Sequence, residues 1–355
     1  MSEKSKIEWT DHTFNPWEGC QKVGPGCDHC YAETRNARFA GGQAVNWGPG
    51  APRRRTSATN WRKPLAWNAN HDAFFAEHGR RQRVFCASLA DVFDNTVDPA
   101  WRADLFDLIM ATPNLDWLLL TKRIGNVPGM LVGPGMPGRL PSNVWLGATI
   151  CNQEEADRDI PKLLAVPARV RFLSMEPLLG PVDLGRHLWK CCGAMIPGNQ
   201  GDGWMQPPDP PECCQCPEPR EQLHWVIVGG ESGASARPMH PDWARSLRDQ
   251  CAAAGVPFLH KQWGEWHTAA TVASTGEPVF RQLDSFQQWV NKAQTWIHGG
   301  ICLDRHGREL KNGGDFMQAR DNDDFPVTIM HKVGKKAAGR VLDGVQHDGF
   351  PRSAT

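Results

Sequence analysis

Neither sign of charge is in excess in this chain: lysine plus arginine and aspartate plus glutamate number 39 each. That excludes a protein that is basic throughout, the usual footprint of a dedicated nucleic-acid binder, and leaves open only a local basic groove. There is no run of about 18 apolar residues, so no membrane-spanning helix and no membrane partner are expected. The opening stretch MSEKSKIEWTDHTF lacks the apolar centre of a secretory signal. A cytoplasmic protein is therefore expected, in a compartment where thiols stay reduced. Tyrosine is nearly absent, with Tyr31 alone against 16 tryptophans. That many indoles must mostly fill core, with some left over for stacking surfaces.

Cysteine, by contrast, is plentiful, and eight of the 12 are grouped. Cys20, Cys27 and Cys30 form one group. Cys191, Cys192, Cys213, Cys214 and Cys216 form the other. In a reducing compartment, grouped cysteines read as metal or cluster ligands before they read as disulfides. Cys86, Cys151, Cys251 and Cys302 stand alone in apolar contexts and read as small buried hydrophobes.

Six short apolar runs recur and end in polar residues: Arg83–Ser88, Asp116–Thr121, Asn143–Thr149, Arg169–Ser174, His224–Gly229 and Pro257–Lys261. Their length and their Val, Leu, Phe and Trp content predict buried parallel strands. Helical stretches lie between several of them, at Asp98–Ala111 with an Asp cap and Pro at the first turn, at Gln153–Leu164, and at Pro241–Ala254 before Gly255. The alternation predicts an α/β fold, a partial (β/α) TIM-like barrel of about six or more parallel strands, with an open doubly wound sheet as the alternative. The barrel is assigned to residues 1–267, interrupted by a Pro/Gly-rich, Cys-rich insert at 188–222, and residues 268–355 to a C-terminal extension without βα rhythm. The end of that extension, His331–Asp343, is basic, which most often means a solvated face.

The strongest local signal is Gly19-Cys20-Gln-Lys-Val-Gly-Pro-Gly-Cys27-Asp-His29-Cys30-Tyr31, a C-x6-C-x2-C spacing. Three thiolates on one short loop can hold three irons of a [4Fe–4S] cubane and leave the fourth open. Gly19, Gly24 and Gly26 let the backbone wrap closely. A zinc site completed by His12 or His29 fits the spacing equally well.

The loop resembles that of the radical S-adenosylmethionine enzymes, whose usual spacing is C-x3-C-x2-C. The whole chain resembles the phage Gp37/Gp68-like (DUF5131) family. The matching stretches are KIEWTDHTFNPWEGC, GCDHCYAE, LLLTKR, VWLGATICN, RFLSMEPLLGPVDL, WVIVGGESGASARPMHPDWARSLRDQC, PFLHKQWG and KKAAGRVLDG. The resemblance implies a partial barrel with the cluster loop after its first strand. It also implies a [4Fe–4S] cluster on Cys20, Cys27 and Cys30, and S-adenosylmethionine as cofactor. An electron donor such as flavodoxin or ferredoxin would be a partner. His29 takes the place of the aromatic residue that such enzymes set against adenosine.

In barrels of this kind, working groups sit at the C-terminal ends of strands. Reading the strands that way nominates Lys122, Glu176, Glu231 and Lys261 for the substrate. It nominates Asp91, Thr149 and Asn152 for the cofactor, beside His29, which the resemblance implies. Lys122, Arg123, Arg237 and Lys261 suit a carboxylate or phosphate. Gly229-Gly230-Glu231 is similar to the Gly-Gly-Glu element that binds the methionine amino group, although it lies on a late strand. The paired cysteines of the insert suggest structural zinc or an auxiliary iron–sulfur cluster, with a metal-free loop as the alternative.

The function expected from the resemblance is a radical enzyme of isomerase or lyase type acting on a nucleobase or nucleoside, free or in DNA. Rearrangement of an amino-acid-decorated thymine and base repair are examples, and the setting would be the host cytoplasm if the gene is a phage's. Two alternatives remain: a radical enzyme on a small metabolite or peptide, and a zinc-stabilised nucleic-acid-binding module without catalysis.

Overall fold

A computed structural model describes residues 5–188, 222–268, 281–292 and 300–351. Seven strands run parallel: β1 His12–Thr13, β2 Gln82–Cys86, β3 Leu115–Thr121, β4 Val144–Thr149, β5 Val170–Met175, β6 Trp225–Gly229 and β7 Phe258–Gln262. They pair in simple sequence order. A doubly wound sheet reverses its strand order at a switch point, and this sheet does not. The sheet curls into a half-barrel. Six strands fall where the apolar runs predict them. The seventh, β1, is too short to leave a pattern in the sequence.

Side chains alternate across the curl, as the period of two in a strand requires. Phe85, Leu118, Trp145, Phe172, Trp225, Ile227 and Leu259 point inward and pack with Trp9 in one apolar cluster. Their neighbours Val84, Cys86, Trp117, Leu119, Leu146, Leu173, Val226 and Val228 point outward into a second cluster. Helices α2 Pro99–Met110, α3 Gln153–Leu164 and α4 Pro241–Ala254, which follow β2, β4 and β6, cover that outer face, and α1 Tyr31–Phe39 follows the cysteine loop at the cavity. Asp98 caps α2 by accepting a bond from the Ala100 amide at 2.9 Å, and Gly255 ends α4 in the left-handed region at φ 66°.

A half-barrel leaves strand edges open, which invites unwanted pairing. The C-terminal residues cover one edge. His260 of β7 donates its amide to the His347 carbonyl at 3.0 Å, and Gly349 donates to the Phe258 carbonyl at 2.9 Å. Phe350 then lies 5.0 Å from the Trp225 ring, and the Trp225 indole donates to the Gly349 carbonyl at 2.7 Å. The region after the barrel is regular but antiparallel, which explains its lack of βα rhythm. Strands Trp266–His267, Gln282–Leu283 and Gly300–Leu303 each pair with Val327–Lys332, and Glu309–Leu310 pairs with Gly300–Leu303. The Cys-rich insert, with Cys191, Cys192, Cys213, Cys214 and Cys216, lies outside the described residues. Among those residues no helix is long and apolar enough to cross a membrane.

Candidate functional site

A cavity of about 480 Å³ opens at the C-terminal ends of the strands. Each of β2 to β7 contributes to it from its last residues or from those just beyond. β2 gives Ser88 and Asp91, β3 gives Thr121, Lys122 and Arg123, and β4 gives Thr149. Ser174 and Glu176 come from β5, Glu231 and Ser232 from β6, and Lys261 and Gln262 from β7. The loop between β1 and α1 forms the remaining wall with Cys20, Cys27, His29 and Cys30. Trp9, Phe85 and Leu120, on the inner side of the curl, form an apolar floor. Of the residues nominated from the sequence for substrate, cofactor or an anionic group, Asn152 and Arg237 stand apart from its lining. Asn152 caps α3, accepting a bond from the Glu155 amide at 2.9 Å.

The cysteine loop is held tightly. A side chain on Gly26 would place its first carbon 2.3 Å from the Cys151 sulfur, and one on Gly24 would meet a Glu155 carboxylate oxygen at 2.5 Å. Gly19 adopts φ 112°, a conformation that favours glycine. On its outer side the loop is tied by Arg237, which donates to the Pro25 carbonyl at 2.9 Å and to Asp28 at 3.1 Å. The same guanidinium binds both oxygens of Glu231, at 2.6 and 2.9 Å. His29 Nδ1 lies 3.0 Å from Glu231 Oε2. Burial works against the Glu231 charge, but the bonds from Arg237 and His29 hold its carboxyl below the ordinary value. Glu231 is thus committed to a clamp that joins the end of β6 to the cysteine loop.

Asp91 is similarly occupied. It accepts from Thr121 Oγ1 at 2.8 Å, from the Lys122 amide at 3.0 Å and from Arg123 Nη1 at 3.1 Å. Arg123 Nη1 in turn lies 3.5 Å from the Cys20 sulfur, and its Nη2 donates to the Gln21 carbonyl at 3.0 Å. Asp91 therefore positions a cation against the first cysteine. Glu176 meets Lys261 Nζ at 2.9 Å and Gln262 Nε2 at 3.2 Å. Lys122 Nζ donates to Thr149 Oγ1 at 3.2 Å. Burial disfavours the Lys122 ammonium, yet the neighbouring thiols of Cys151, Cys27 and Cys30, with Asp91, raise its pKa above the usual lysine value.

Burial pushes the Cys20 thiol up to about 11, against the opposing pull of Arg123. A bound metal ion would reverse that preference, because a coordinated thiol is deprotonated outright. Among the described residues no three His, Cys, Asp or Glu side chains are gathered as a ready site for a metal ion. His12 takes no part in the cavity: its Nε2 lies 2.6 Å from Gln82 Oε1 and its ring stacks on Trp67 at 4.1 Å. His29 does face it.

Over residues 4–351 the sequence matches the family described as protein of unknown function, DUF5131. The chain belongs to this family. No curated protein and no solved structure matches it. The family thus confirms the sequence relationship, and the chemistry has to be argued from the site.

Four residues that the sequence did not nominate stand at the cavity or its loop. Trp47, bridged to Cys20 by backbone pairing, lines it, as does Tyr31, whose hydroxyl donates to the Ser88 carbonyl at 2.5 Å. Lys22 also lines it. Cys151 is buried, as an isolated cysteine in an apolar context predicts, but it lies directly beneath Gly26. Only the position of Lys22 and Tyr31 within the cysteine-loop stretch was a usable signal for any of them.

Proposed function

We propose that the chain is a radical S-adenosylmethionine enzyme. The observation that carries this reading is the placement of Cys20, Cys27 and Cys30. All three stand on one loop after the first strand and face a cavity at the C-terminal ends of a parallel half-barrel. A [4Fe–4S] cluster with one open iron would take its three thiols from this loop, beside a backbone closely packed at Gly24 and Gly26 and with space for another molecule. With S-adenosylmethionine bound, such a cluster supplies a 5′-deoxyadenosyl radical by one-electron cleavage of a carbon–sulfur bond.

The chain's own groups would hold and shield the reactants. Arg123 and Lys122 place positive charge beside the thiols and offset the negative charge of three thiolates. Arg237 and Glu231 keep the loop seated on β6. His29, Thr149 and the Lys261–Glu176 pair present polar atoms to the cavity, and Lys261 and Glu176 stand ready to exchange their mutual bond for a substrate's. The floor of Trp9, Phe85 and Leu120 keeps water out from below. A nucleobase or nucleoside suits a cavity that joins aromatic Trp47 and Tyr31 to amide and ammonium donors. Flavodoxin or ferredoxin would deliver the electron.

Anaerobic reconstitution followed by metal and sulfide analysis tests the reading. The protein should be brown, hold about four iron and four sulfide at this site, and release 5′-deoxyadenosine from S-adenosylmethionine under a strong one-electron reductant. Cys20→Ala, Cys27→Ala and Cys30→Ala should each abolish both. Colourless protein that holds only zinc, or full iron in all three variants, would replace this reading with that of a binding module.

A further inference from the structure

The carboxylates of the cavity are all spoken for, and its cations are not. Asp91 pairs with Arg123, Glu176 with Lys261 and Glu231 with Arg237. Lys22, Lys122 and Lys335 also line the cavity, and among the described residues none of them has a carboxylate at ion-pair distance. Lys122 lies among the thiols and donates to Thr149 Oγ1. Lys22, on the cysteine loop, and Lys335, on the short helix Lys335–Ala338, are exposed. In a chain with 39 charges of each sign, this excess is local.

The excess continues outward from the lip. Tyr31 opens α1 at the cavity, and Arg35 and Arg38 follow at the fourth and seventh positions after it, on the same helical face. Between Tyr31 and Arg55 there are five arginines and a single acid, Glu33. Arg53 is buried on Asp94 and Arg55 pairs with Asp104. Arg54 lies beside the cysteine loop, because its strand pairs with Trp17–Glu18. Arg35 and Arg54 share the one carboxylate of Glu18, and Arg38 is exposed. Phe39 is 75% exposed, with the Arg35 guanidinium 5.1 Å over its ring. Cations interleaved with an exposed aromatic ring are how proteins hold single-stranded nucleic acid, with phosphates on the cations and a base on the ring.

We propose that the substrate base is presented within a single-stranded polynucleotide. Its phosphates are met by Lys22 and Lys335 at the lip and by Arg35, Arg38 and Arg54 beyond it. The idea takes from the preceding section only that the cavity receives a base. A base must leave its stack to enter the cavity, which costs less from a single strand than from a duplex.

The test is binding of a fluorescently labelled single-stranded oligodeoxynucleotide of about 12 nucleotides to the full chain, read by anisotropy at rising salt. Thymidine monophosphate and polyglutamate serve as competitors. The oligonucleotide should bind at least about tenfold more tightly than the mononucleotide, because it makes several phosphate contacts. Arg35→Glu with Arg38→Glu should weaken binding about tenfold or more and flatten the salt dependence by roughly 1.4 in log–log slope, the share of two contacts on a single strand. Lys311→Glu with Arg320→Glu, equal in charge but on the C-terminal region, should do much less. Arg38→Gln alone provides the same test if the double variant fails to fold. Wild-type affinity in both α1 variants would overturn the proposal. So would an equal loss in the Lys311/Arg320 control, no gain of oligonucleotide over mononucleotide, or equal displacement by polyglutamate. Binding without 5′-deoxyadenosine formation would leave this surface standing and remove the radical chemistry; the converse would remove the surface alone.

Discussion

At the N-terminal ends of its strands the half-barrel is filled by Trp145, Phe172 and Trp225, closed from outside by Phe350. At the C-terminal ends the same strands carry Asp91, Lys122, Thr149, Glu176, Glu231 and Lys261 around an open cavity. The lower end is packed with the chain's own side chains: rings pack on rings, and buried Arg83 lies over Phe350 at 4.2 Å and Trp145 at 5.5 Å. The upper end surrounds open space with thiols and ammonium groups, and among the described residues Lys22, Lys122 and Lys335 have no carboxylate at ion-pair distance. Close-packed aromatic burial contributes stability, and unsatisfied polar groups around a cavity cost it. The difference teaches where each kind of residue is spent: the lower end holds the fold, and the upper end holds what the fold is for.

The comparison breaks first if the lower end proves dispensable. Trp225→Ala should lower stability by about 3–5 kcal/mol in denaturant unfolding, through lost burial and a cavity among Trp9, Phe172 and Trp145. Cys30→Ala, measured on metal-free protein, should cost about 1 kcal/mol or less. Equal losses in the two variants would erase the distinction.

A smaller effect tests whether the cysteine loop is as tightly seated as its glycines imply. Gly26→Ala drives a methyl group into the Cys151 sulfur and should cost about 1–3 kcal/mol. Combining it with Cys151→Ala removes the obstacle, so the double variant should lose less than the sum of the singles in a thermodynamic cycle. Strict additivity would mean that the loop has room to move.

The smallest effect concerns the clamp. Glu231 has a folded pKa below its ordinary 4.5. Its contribution to stability is therefore complete above the ordinary value and is lost as pH falls through the lower, folded one. Glu231→Gln should be less stable than the parent by roughly 1 kcal/mol near pH 7, and the gap should narrow as pH falls below 4.5. A gap that stays constant over thermal melts from pH 7 to pH 3 would show that Glu231 does not bear charge in the clamp.

Much of this was legible beforehand because it is written in local patterns. Apolar runs placed β2 to β7 to within a residue or two, and Gln153–Leu164 and Pro241–Ala254 stand as helices at those same bounds. The rule that working groups follow parallel strands brought Lys122, Thr149, Glu176 and Lys261 to one cavity. It failed at Asn152, because a polar residue after a strand is also a good helix cap, and there the cap prevails. Two residues leave no period, so β1 was invisible. The C-terminal sheet was missed because its strands of two to six residues pair antiparallel across long separations.

The sequence by itself determined the alternation of strand and helix and the three-cysteine loop, since each depends on neighbours within a few positions. Only the tertiary structure decided that Cys151 lies under Gly26, and that Arg237 spans 212 positions to reach the Pro25 carbonyl. It likewise decided that Glu231 serves a clamp, and that Lys335 faces the same cavity as Lys22. Charge balance is a sum over space. A chain neutral along its length can still leave ammonium groups unpaired at one cavity, because pairing depends on which carboxylates the fold brings within reach and which it occupies elsewhere.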